Sequence, residues 1–523
     1  METVIDAIRR QAHAQPDAQA YWTPTRRWTF ADLDEASNRA AQGLRTLGIG
    51  EGARVACLTK HTAECVVLTL AACKLGAVCM PVNWRLAPPE IEYIVKHGEA
   101  RLMVADAAFL EAMRAVGAPL LKKTLATEKT VGETQGFGDW LGAYDAVDPG
   151  RPTAMQDTAL QLYSSGTTGL PKGVELSHEN LSVFVHGSVS AAIGYNGAPD
   201  VMLNVLPTYH IAGVGIGLLT AAKGGPSVLY PDFDPAKVVD AIGEHRVTHA
   251  FLVPAMIQFL LQVPGVEARD YASLRAISYG ASPISDQVLI GAMRTFRCNF
   301  LQVYGLTETT GAITRLPPED HDPEGPKKHL LRSAGKPIDG VELRVVDPAT
   351  GSDCAEGGVG EVWIRSRQNM KGYWANPQAT ADAFVDRDAS GWGWFRSGDA
   401  GYLREGYLFL HDRIKDMISS GGENIYPAEV ENALMQHPAV ADGAVIGVPD
   451  AQWGEAVKAC VVLRPDAQAS AAEIIEFMRA RIAHYKCPKS VDFLDAIPRN
   501  PTGKILKRVL REPYWKGRER RVN

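Results

Sequence analysis

The sequence predicts an α/β protein with a large N-terminal domain and a smaller α+β C-terminal domain. Its 523 residues exceed what one hydrophobic core usually organises, which indicates two or more domains. Strand-like segments alternate with amphipathic helical segments through about the first 340 residues, and this alternation favours parallel sheets covered by helices. Glycine-rich β-type segments follow, and a compact mixture of strands and helices resumes after residue 413.

Two runs of this alternation predict two doubly wound α/β subdomains in the N-terminal part. The first run has its predicted strands and helices at residues 54–58, 63–75, 77–82, 88–96 and 101–105. The second run has its segments at residues 201–205, 213–223, 227–229, 235–245, 249–253, 255–261, 275–279, 285–296 and 299–303. Helices between successive strands imply that the strands pair in parallel.

The later part of the chain has a different pattern of predicted secondary structure. Segments at residues 341–346, 360–365 and 407–410 predict a small antiparallel sheet or β-barrel-like subdomain. Beyond it we expect helices at 427–437 and 471–482 and strands at 440–448, 455–463 and 490–493. This tail of about 110 residues is long enough for its own core. The predicted domains are therefore 1–414 and 415–523.

Composition and charge favour a soluble protein of the reducing cytosol. Hydrophobic residues make up 46% of the chain and charged residues 22%, and the net charge of −6 argues against bulk attraction to nucleic acid. The eight cysteines form no C-x-x-C pair, so free thiols are expected. A zinc site at Cys57, His61 and Cys65 is the alternative, and no second close pair supports it.

The N-terminus has no apolar signal-peptide core, and the most apolar stretch falls short of a membrane span. That stretch, residues 63–82, contains the charged Glu64 and Lys74 and is interrupted by Gly76 and Pro81. We therefore expect a cytoplasmic location without a transmembrane segment.

Residues 163–173 (YSSGTTGLPKG) carry the strongest chemical signal. Glycine lets a backbone approach a ligand closely, successive N–H groups form an anion-binding nest, and Lys172 adds a point charge for phosphate. A Walker A loop runs into a helix, whereas Lys172 follows Pro171 and precedes a strand-like segment at 173–176. The pattern predicts a phosphate grip between two strands. A flexible surface loop is the alternative.

This loop resembles the phosphate-binding signature of the adenylate-forming superfamily, which includes acyl- and aryl-CoA synthetases, luciferases and peptide-synthetase adenylation domains. Further motifs that resemble the superfamily follow in order at 278–283 (SYGASP), 302–309 (QVYGLTET), 397–399 (SGD), 412–416 (DRIKD), 420–427 (SGGENIYP) and 498–504 (PRNPTGK). The resemblance covers the whole chain and is greatest to bacterial fatty-acyl-CoA synthetases. One departure is SYGAS at 278–282, which replaces the commoner GGAP form but keeps Gly280 and Ala281.

The resemblance implies an ATP and AMP site and a magnesium site. Tyr304 would stack on adenine, Asp399 would accept hydrogen bonds from the ribose hydroxyls, and Glu308 would bind Mg²⁺ with Ser164 nearby. The implied nucleotide-binding residues are Ser164, Ser165, Gly166, Thr167, Thr168, Gly169, Lys172, Gly280, Ala281, Ser282, Gln302, Tyr304, Gly305, Thr307, Asp399 and Arg413.

Lys504, His210 and Glu308 are the implied catalytic residues. In the superfamily the lysine contacts the α-phosphate and the attacking carboxylate, where a positioned cation stabilises developing charge. His210 resembles the gate beside the acyl carboxylate, and a structural histidine is the alternative.

The C-terminal motifs imply a rotating small domain. The resemblance places the hinge at Lys415 and rotates the domain between the two half-reactions. One pose brings Lys504 to the phosphate, and the other brings the implied CoA-binding residues Ser420, Gly421 and Gly422 to the pantetheine tunnel.

The candidate acyl pocket is apolar and rich in glycine, with no evident buried cation for a second carboxylate. Its residues are Tyr209, His210, Gly213, Gly280, Gly311 and Ala312, and a wider wall adds Ile211, Gly215, Gly217 and Val253. This composition favours a monocarboxylic acid, either a medium- or long-chain fatty acid or a cyclic or aryl acid.

The implied activity is an ATP-dependent acid:CoA ligase that works through an acyl-adenylate and needs Mg²⁺. One rival is transfer to a carrier-protein thiol, or oxidation of the adenylate. Another is a non-catalytic nucleotide-binding relative, which should lack Lys504, Glu308 or Lys172.

Residues 504–523 hold eight Lys or Arg and two Glu, which favours a solvated basic tail over weak contact with CoA phosphates or an acidic membrane. A homodimer is left open.

Overall fold

The computed structural model describes residues 2–114, 117–127, 129–164, 170–421, 423–499 and 505–516. Contacts divide the chain into two compact units. Unit 1 comprises Met1–Glu342 and Ile364–Phe395, and unit 2 comprises Leu343–Trp363 and Arg396–Asn523. The boundary near Lys415 stays a prediction.

Unit 1 contains a seven-stranded sheet that confirms the first predicted run. Its strands, in spatial order, are Gly372–Tyr373, Lys172–Ser177, Thr158–Ser164, Val78–Pro81, Arg54–Leu58, Ala100–Ala105 and Lys123–Ala126. The five strands from Thr158–Ser164 to Lys123–Ala126 pair in parallel. The strand Arg54–Leu58 is buried at every position, as expected where helices cover both faces of a sheet.

A nine-stranded sheet in unit 1 corresponds to the second predicted run. Its strands, in spatial order, are Lys336–Pro337, Gly311–Leu316, Asn299–Leu306, Ala276–Gly280, His249–Leu252, Met202–Asn204, Ser227–Leu229, Gln19–Trp22 and Arg27–Thr29. Its central strands pair in parallel, and antiparallel pairs lie at both edges.

Helices pack on these sheets, and several begin at clear sequence signals. Thr29 and Asp32 form a reciprocal capping box that starts the helix Phe30–Thr46. The predicted helix at 63–75 is observed as Ala63–Lys74, and its buried Lys74 ammonium lies 2.7 Å from Asp34 Oδ1. The remaining unit 1 helices are Val4–Ala14, Pro88–His97, Ala107–Arg114, Phe137–Leu141, His178–His186, Ser188–Ile193, Ile211–Lys223, Pro235–Glu244, Pro254–Leu261, Asp286–Phe296 and Pro377–Asp382.

Unit 2 contains most of the later β segments and the C-terminal α+β fold. The long strand Trp394–Arg404 pairs antiparallel with Tyr407–Arg413, in the sheet that also holds Val341–Val346 and Gly360–Ser366. A second sheet contains the strands Glu423–Ile425, Ile418–Ser420, Gly454–Leu463, Val440–Asp450 and Ser490–Phe493. The helices of unit 2 are Pro427–Leu434, Ala471–Arg479 and Lys507–Trp515.

The mixed α/β fold class predicted from the sequence is confirmed by these sheets and their covering helices. In the described ranges, no helix has the length and apolar character needed to cross a membrane.

Candidate active site

Two antiparallel hairpins in unit 1 bring the main motifs together. The strand Thr158–Ser164 ends within the predicted phosphate-binding motif and pairs with Lys172–Ser177. The strand Asn299–Leu306 ends at the 3₁₀ turn Thr307–Thr309 and pairs with Gly311–Leu316. Ser164 Oγ donates a hydrogen bond to Glu308 Oε1 at 2.9 Å, so the ends of both hairpins meet.

Several predicted site residues lie outside the described part of the chain. These are Ser165, Gly166, Thr167, Thr168, Gly169, Gly422 and Lys504, and the side chains of Arg413 and Lys415 are likewise outside it. Their roles stay predictions.

Glu308 is the central acidic group of this region. Only 9% of Glu308 is exposed, and its Oε1 accepts a second hydrogen bond, from the Tyr373 hydroxyl at 3.2 Å. In the described residues no three His, Cys, Asp or Glu side chains come together as a metal site. A single carboxylate with hydroxyls nearby suits Mg²⁺, which usually takes one or two protein carboxylates and completes its shell with water and substrate phosphates.

The backbone of the candidate adenine region is closely packed at two glycines. A Cβ on Gly280 would overlap the Val303 carbonyl oxygen, and one on Gly305 would overlap the Gly311 carbonyl oxygen. Ala281 adopts a positive φ of 69°, which turns the chain after the strand Ala276–Gly280. The motif residues therefore occupy positions where larger side chains do not fit.

Gln302 and Tyr304 both belong to the strand Asn299–Leu306. The buried Oε1 of Gln302 has no hydrogen-bond partner in the described residues. Tyr304 follows Gln302 by two residues on the same strand, so their side chains extend from the same face. A β-bulge between Tyr304 and Gly305 redirects the chain before the turn at Thr307.

Gln368 supports this turn and was not identified from the sequence. Its Nε2 donates to the carbonyls of Thr309 and Ala312, at 3.2 and 3.0 Å. Thr310, at a φ of 53°, donates back to the Gln368 carbonyl at 2.6 Å. Gln368 lies far along the chain in a segment without a recognised motif, so no sequence pattern indicates its role.

His210 and Tyr209 lie where the chain enters the helix Ile211–Lys223. The ring centroids are 4.6 Å apart, and His210 Nε2 and the Tyr209 hydroxyl are buried without a hydrogen-bond partner in the described residues. Burial lowers the pKa of His210 to about 4 and raises that of Tyr209 to about 12. The charge of the exposed Arg85, missed in the sequence, acts on both groups.

Phe184 fills the space next to two of the predicted pocket glycines. Its ring atoms lie 3.2 Å from the position of a Cβ on Gly215 and 3.1 Å from that on Gly311. Ile211 contacts the same two positions, at 3.4 and 3.9 Å. Phe184 is 3% exposed and lies on the helix His178–His186, so this helix packs against residues of the predicted acyl pocket.

Two other predicted acyl residues, Gly213 and Gly217, serve the packing of the helix Ile211–Lys223. A Cβ on Gly213 would overlap the Pro207 carbonyl oxygen, and the Gly213 carbonyl accepts from Asn204 Nδ2 at 3.0 Å. The Gly217 carbonyl accepts from the buried Tyr21 hydroxyl at 2.7 Å. Ala312 is 8% exposed.

The unit 2 motifs form turns and strand ends. Ser397 Oγ accepts from the Asp399 N–H at 3.0 Å and donates to the Val362 carbonyl at 2.6 Å, which fixes the part of the strand Trp394–Arg404 that carries Asp399. Ser420 pairs with Glu423 in a tight hairpin. At Gly421, with a φ of 62°, a Cβ would meet the Trp453 ring at 2.6 Å.

Comparisons with known proteins agree with this architecture. The AMP-binding enzyme family matches residues 8–374, and the AMP-binding enzyme C-terminal domain matches residues 429–504. The chain is 37% identical to the fatty acid–[acyl-carrier-protein] ligase ScoC of Streptomyces coeruleorubidus, over 100% of this chain and 98% of that protein. It is 38% identical to the long-chain-fatty-acid–CoA ligase FadD13 of Mycobacterium tuberculosis, over 98% of this chain and 99% of that protein.

A solved structure of similar architecture is ATP-bound MatB from Rhodopseudomonas palustris. It has a TM-score of 0.88 and 30% sequence identity, and the match covers 98% of this chain and 99% of that one. The chain therefore belongs to the AMP-binding enzyme family, the adenylate-forming enzymes. Within that family it is an acid–thiol ligase close to the fatty-acyl-CoA synthetases, as the motifs predicted.

Proposed function

We propose that the protein activates a monocarboxylic acid with ATP and transfers the acyl group to coenzyme A. In the first half-reaction a carboxylate oxygen attacks the α-phosphorus of ATP, and pyrophosphate leaves. In the second, the CoA thiolate attacks the acyl carbonyl carbon, and AMP leaves with the former carboxylate oxygen. The products are acyl-CoA, AMP and pyrophosphate.

The hydrogen bond from Ser164 to Glu308 is the observation that carries this proposal. It joins the strand before the phosphate loop to the YGLTE segment, 144 residues later in the chain. Lys172, on the partner strand of the same hairpin, adds a cation for phosphate. Three groups suited to a metal–triphosphate complex therefore belong to one local structure.

Glu308, with the Ser164 hydroxyl beside it, is the proposed holder of Mg²⁺. When bound, the metal would neutralise charge on the ATP phosphates. Lys172 binds phosphate oxygens, and Lys504 supplies the cation at the reacting phosphorus. By the family resemblance Asp399 holds the ribose hydroxyls, with Arg413 near it, and Tyr304 stacks on adenine.

His210 acts as a gate and hydrogen-bonding partner in this proposal. Burial lowers its pKa to about 4, so the imidazole is neutral at physiological pH. Its Nε2 and the Tyr209 hydroxyl both lack a hydrogen-bond partner in the described residues, and the two ring centroids lie 4.6 Å apart, so both groups can meet a polar head entering the pocket. A neutral ring can orient the acid without transferring a proton.

The acid is proposed to be apolar beyond its carboxylate. Phe184 and Ile211 meet the glycines Gly215 and Gly311 in the pocket region, and this lining suits an acyl chain or ring. A relative named for fatty acids matches 100% of the chain and one named for long-chain fatty acids matches 98% of it, which supports a medium- or long-chain acid over a polar one. Cyclic and aryl acids remain in the same apolar class.

A carrier-protein thiol is the second candidate acceptor. The specific observation in its favour is the 37% identity, over the full chain, to a relative named as a fatty acid–[acyl-carrier-protein] ligase. CoA and carrier proteins present the same phosphopantetheine thiol, so the adenylation half-reaction is shared by both proposals.

The experiment is a pyrophosphate-release assay on acids from acetate to palmitate, with benzoate, cinnamates and alicyclic acids. Each acid is tested alone, with CoA, and with a phosphopantetheine-bearing acyl carrier protein. We expect release with apolar acids to rise sharply with CoA and to yield acyl-CoA. If pyrophosphate release rises only with the carrier protein, the acceptor is the carrier-protein thiol and not CoA. No release with any acid would refute the proposal.

A Lys504→Ala variant separates the half-reactions in the same assay. Loss of one positioned cation should slow adenylation by about 10²–10³-fold. Transfer from chemically prepared acyl-AMP to CoA should stay within about threefold of the wild type, because the lysine serves the first half-reaction. Equal losses in both half-reactions would contradict this role.

A further inference from the structure

Tyr373 is held rigidly next to the strand that begins at Lys172. The short strand Gly372–Tyr373 pairs antiparallel with Lys172–Ser177, placing Tyr373 opposite Val174. The Trp374 N–H donates to the Gly173 carbonyl at 2.7 Å, and the Tyr373 N–H donates to Thr380 Oγ1 at 2.9 Å. The backbone of Tyr373 is therefore fixed on both sides of the residue.

The Tyr373 side chain contacts two oppositely charged groups. Its hydroxyl donates to Glu308 Oε1 at 3.2 Å, and its ring face lies 4.8 Å from the Lys172 ammonium. The second distance is within the range of a cation–π contact. One rigid ring thus joins the proposed metal ligand to the proposed phosphate ligand.

The hydrogen bonds to Glu308 set the orientation of its carboxylate. Both side-chain hydrogen bonds that it accepts within the described residues fall on Oε1, one from Ser164 and one from Tyr373. Two neutral donors on one oxygen restrict rotation of the carboxylate and leave its negative charge intact. An oriented, charged carboxylate is what a magnesium ligand requires.

We propose that Tyr373 is a positioning residue that orients Glu308 for the metal through its hydroxyl and holds Lys172 for phosphate through its ring. The inference rests on the proposed function, because it assigns Glu308 and Lys172 to metal and phosphate. Tyr373 itself does not touch the reacting atoms. Its effects on metal and on nucleotide binding are separable, because phenylalanine keeps the ring and loses only the hydroxyl.

The test measures metal and nucleotide binding directly. Mn²⁺ binding is followed by electron paramagnetic resonance in the presence of α,β-methylene-ATP, and analogue binding without divalent metal is followed by calorimetry. The variants are Tyr373→Phe, Tyr373→Leu and the control Tyr271→Phe, which removes a hydroxyl that donates to the Val266 carbonyl at 2.8 Å elsewhere in unit 1. Thermal unfolding checks that each variant is folded.

In Tyr373→Phe we expect the Kd for Mn²⁺ to rise about tenfold, on the scale of a lost hydrogen bond to a charged group. Metal-free analogue affinity should change less than about twofold in this variant and fall about threefold in Tyr373→Leu, which also loses the ring. Tyr271→Phe should match the wild type. Ser164→Ala, which removes the other donor to the same oxygen, should raise the Kd for Mn²⁺ by a similar factor.

Two measurements separate failure of this inference from failure of the proposed function. Suppose that the wild type catalyses ATP–pyrophosphate exchange, and that Tyr373→Phe and Ser164→Ala have the same Kd for Mn²⁺ as the wild type. The role of Tyr373 is then overturned and the proposed function stands. If no acid supports exchange, the function is overturned, and with it the assignment of Tyr373 to adenylation.

Discussion

Single glycines decide how closely the backbone can pack around the candidate nucleotide site. At Gly305 a Cβ would overlap the carbonyl oxygen of Gly311 on the paired strand. The sequence motif marked this residue, and the structure gives the physical reason for glycine: two backbone segments approach more closely than any side chain allows.

Replacing Gly305 with alanine should therefore force the Asn299–Leu306 and Gly311–Leu316 strands apart. We expect the free energy of unfolding to fall by about 1–3 kcal/mol. We expect the affinity for nucleotide to fall by a much larger fraction of its wild-type value. Urea denaturation and calorimetry with an ATP analogue measure the two effects. The control Gly138→Ala, in the helix Phe137–Leu141 with nothing within 4 Å of the added Cβ, should change stability by less than about 1 kcal/mol. Wild-type stability and binding in Gly305→Ala would contradict this packing.

Phe184 is the residue through which acid size can be tested. Shortening it to leucine frees space at Gly215 and Gly311, so the ratio of kcat/KM for palmitate to that for octanoate should rise about threefold to tenfold. The control Phe296→Leu changes a buried ring of unit 1 at the end of the helix Asp286–Phe296 and should leave the ratio unaltered. An unchanged ratio in both variants would remove Phe184 from the acyl pocket.

At the residue scale, the sequence identified groups that belong to contiguous motifs and missed those that act from a distance. Glu308 and Ser164 were predicted from their motifs, and they meet through a hydrogen bond. Gln368, Tyr373 and Phe184 were not predicted. Their contacts arise only after long-range strand pairing or helix packing, which no local spacing records.

At the element scale, the buried Arg54 guanidinium connects the two strands that flank the predicted phosphate-binding motif to a neighbouring strand. The Arg54 guanidinium lies 3.3 Å from the Trp374 ring centroid and donates to Glu175 at 3.0 Å and to Gln161 at 3.1 Å. These contacts join the strands Arg54–Leu58, Thr158–Ser164 and Lys172–Ser177 across the sheet. Burial lowers the pKa of Arg54, and the Glu175 carboxylate opposes that shift.

Removing this cation should leave Glu175 partly buried without its charge partner. Arg54→Ala should lower the free energy of unfolding by about 3–5 kcal/mol in urea denaturation. The control is Arg294→Ala, which breaks a pair whose side chains are 72% and 79% exposed and should cost less than about 0.5 kcal/mol. Equal effects in the two variants would show that Arg54 does not brace the sheet.

Most elements could be predicted because their hydrophobic patterns are local. The strand at 490–493 was predicted with its observed bounds, and the predicted helix at 63–75 ends one residue earlier than expected. The antiparallel pairs near the sheet edges were harder to predict. The strand Gly311–Leu316, next to the edge strand Lys336–Pro337, was not predicted, because no helix follows this short segment to reveal it. The helix predicted at 213–223 begins two residues earlier, at Ile211, so His210 immediately precedes it.

At the scale of the whole molecule, buried neutral histidines should make stability depend on pH. Burial lowers the pKa of His61, His178 and His210 to about 4. Between pH 6.5 and 4.5 the unfolded chain therefore binds protons that the folded chain does not, and stability falls as the pH falls. Each histidine contributes about 1.4 kcal/mol per pH unit in that window.

Urea denaturation at pH 7.5, 6.0 and 5.0 measures this slope. The variant His61→Leu should make stability fall less steeply between pH 6.5 and 4.5, by about 1.4 kcal/mol per pH unit, because one buried neutral histidine is removed. A slope that is the same in the variant and the wild type would mean that His61 is protonated in the folded protein.

Family and fold class could be predicted for the whole chain because seven motifs recur in order, and the family is confirmed by the comparisons. The identity of the acid could not be predicted from the sequence. The size of the proposed acyl pocket depends on how Phe184 and the helix Ile211–Lys223 pack, and the spacing of motifs does not determine that packing. The thiol acceptor is equally undetermined by motifs, since CoA and carrier proteins share the phosphopantetheine arm.

The measurement that most directly tests the central claim follows oxygen from the acid into AMP. The acid that supports pyrophosphate release is supplied with both carboxylate oxygens as ¹⁸O, and the products formed with ATP, Mg²⁺ and CoA are analysed by mass spectrometry. An acyl-adenylate predicts one ¹⁸O atom in AMP and one in the thioester carbonyl. AMP without ¹⁸O, or ADP with labelled phosphate, would contradict the acyl-adenylate route.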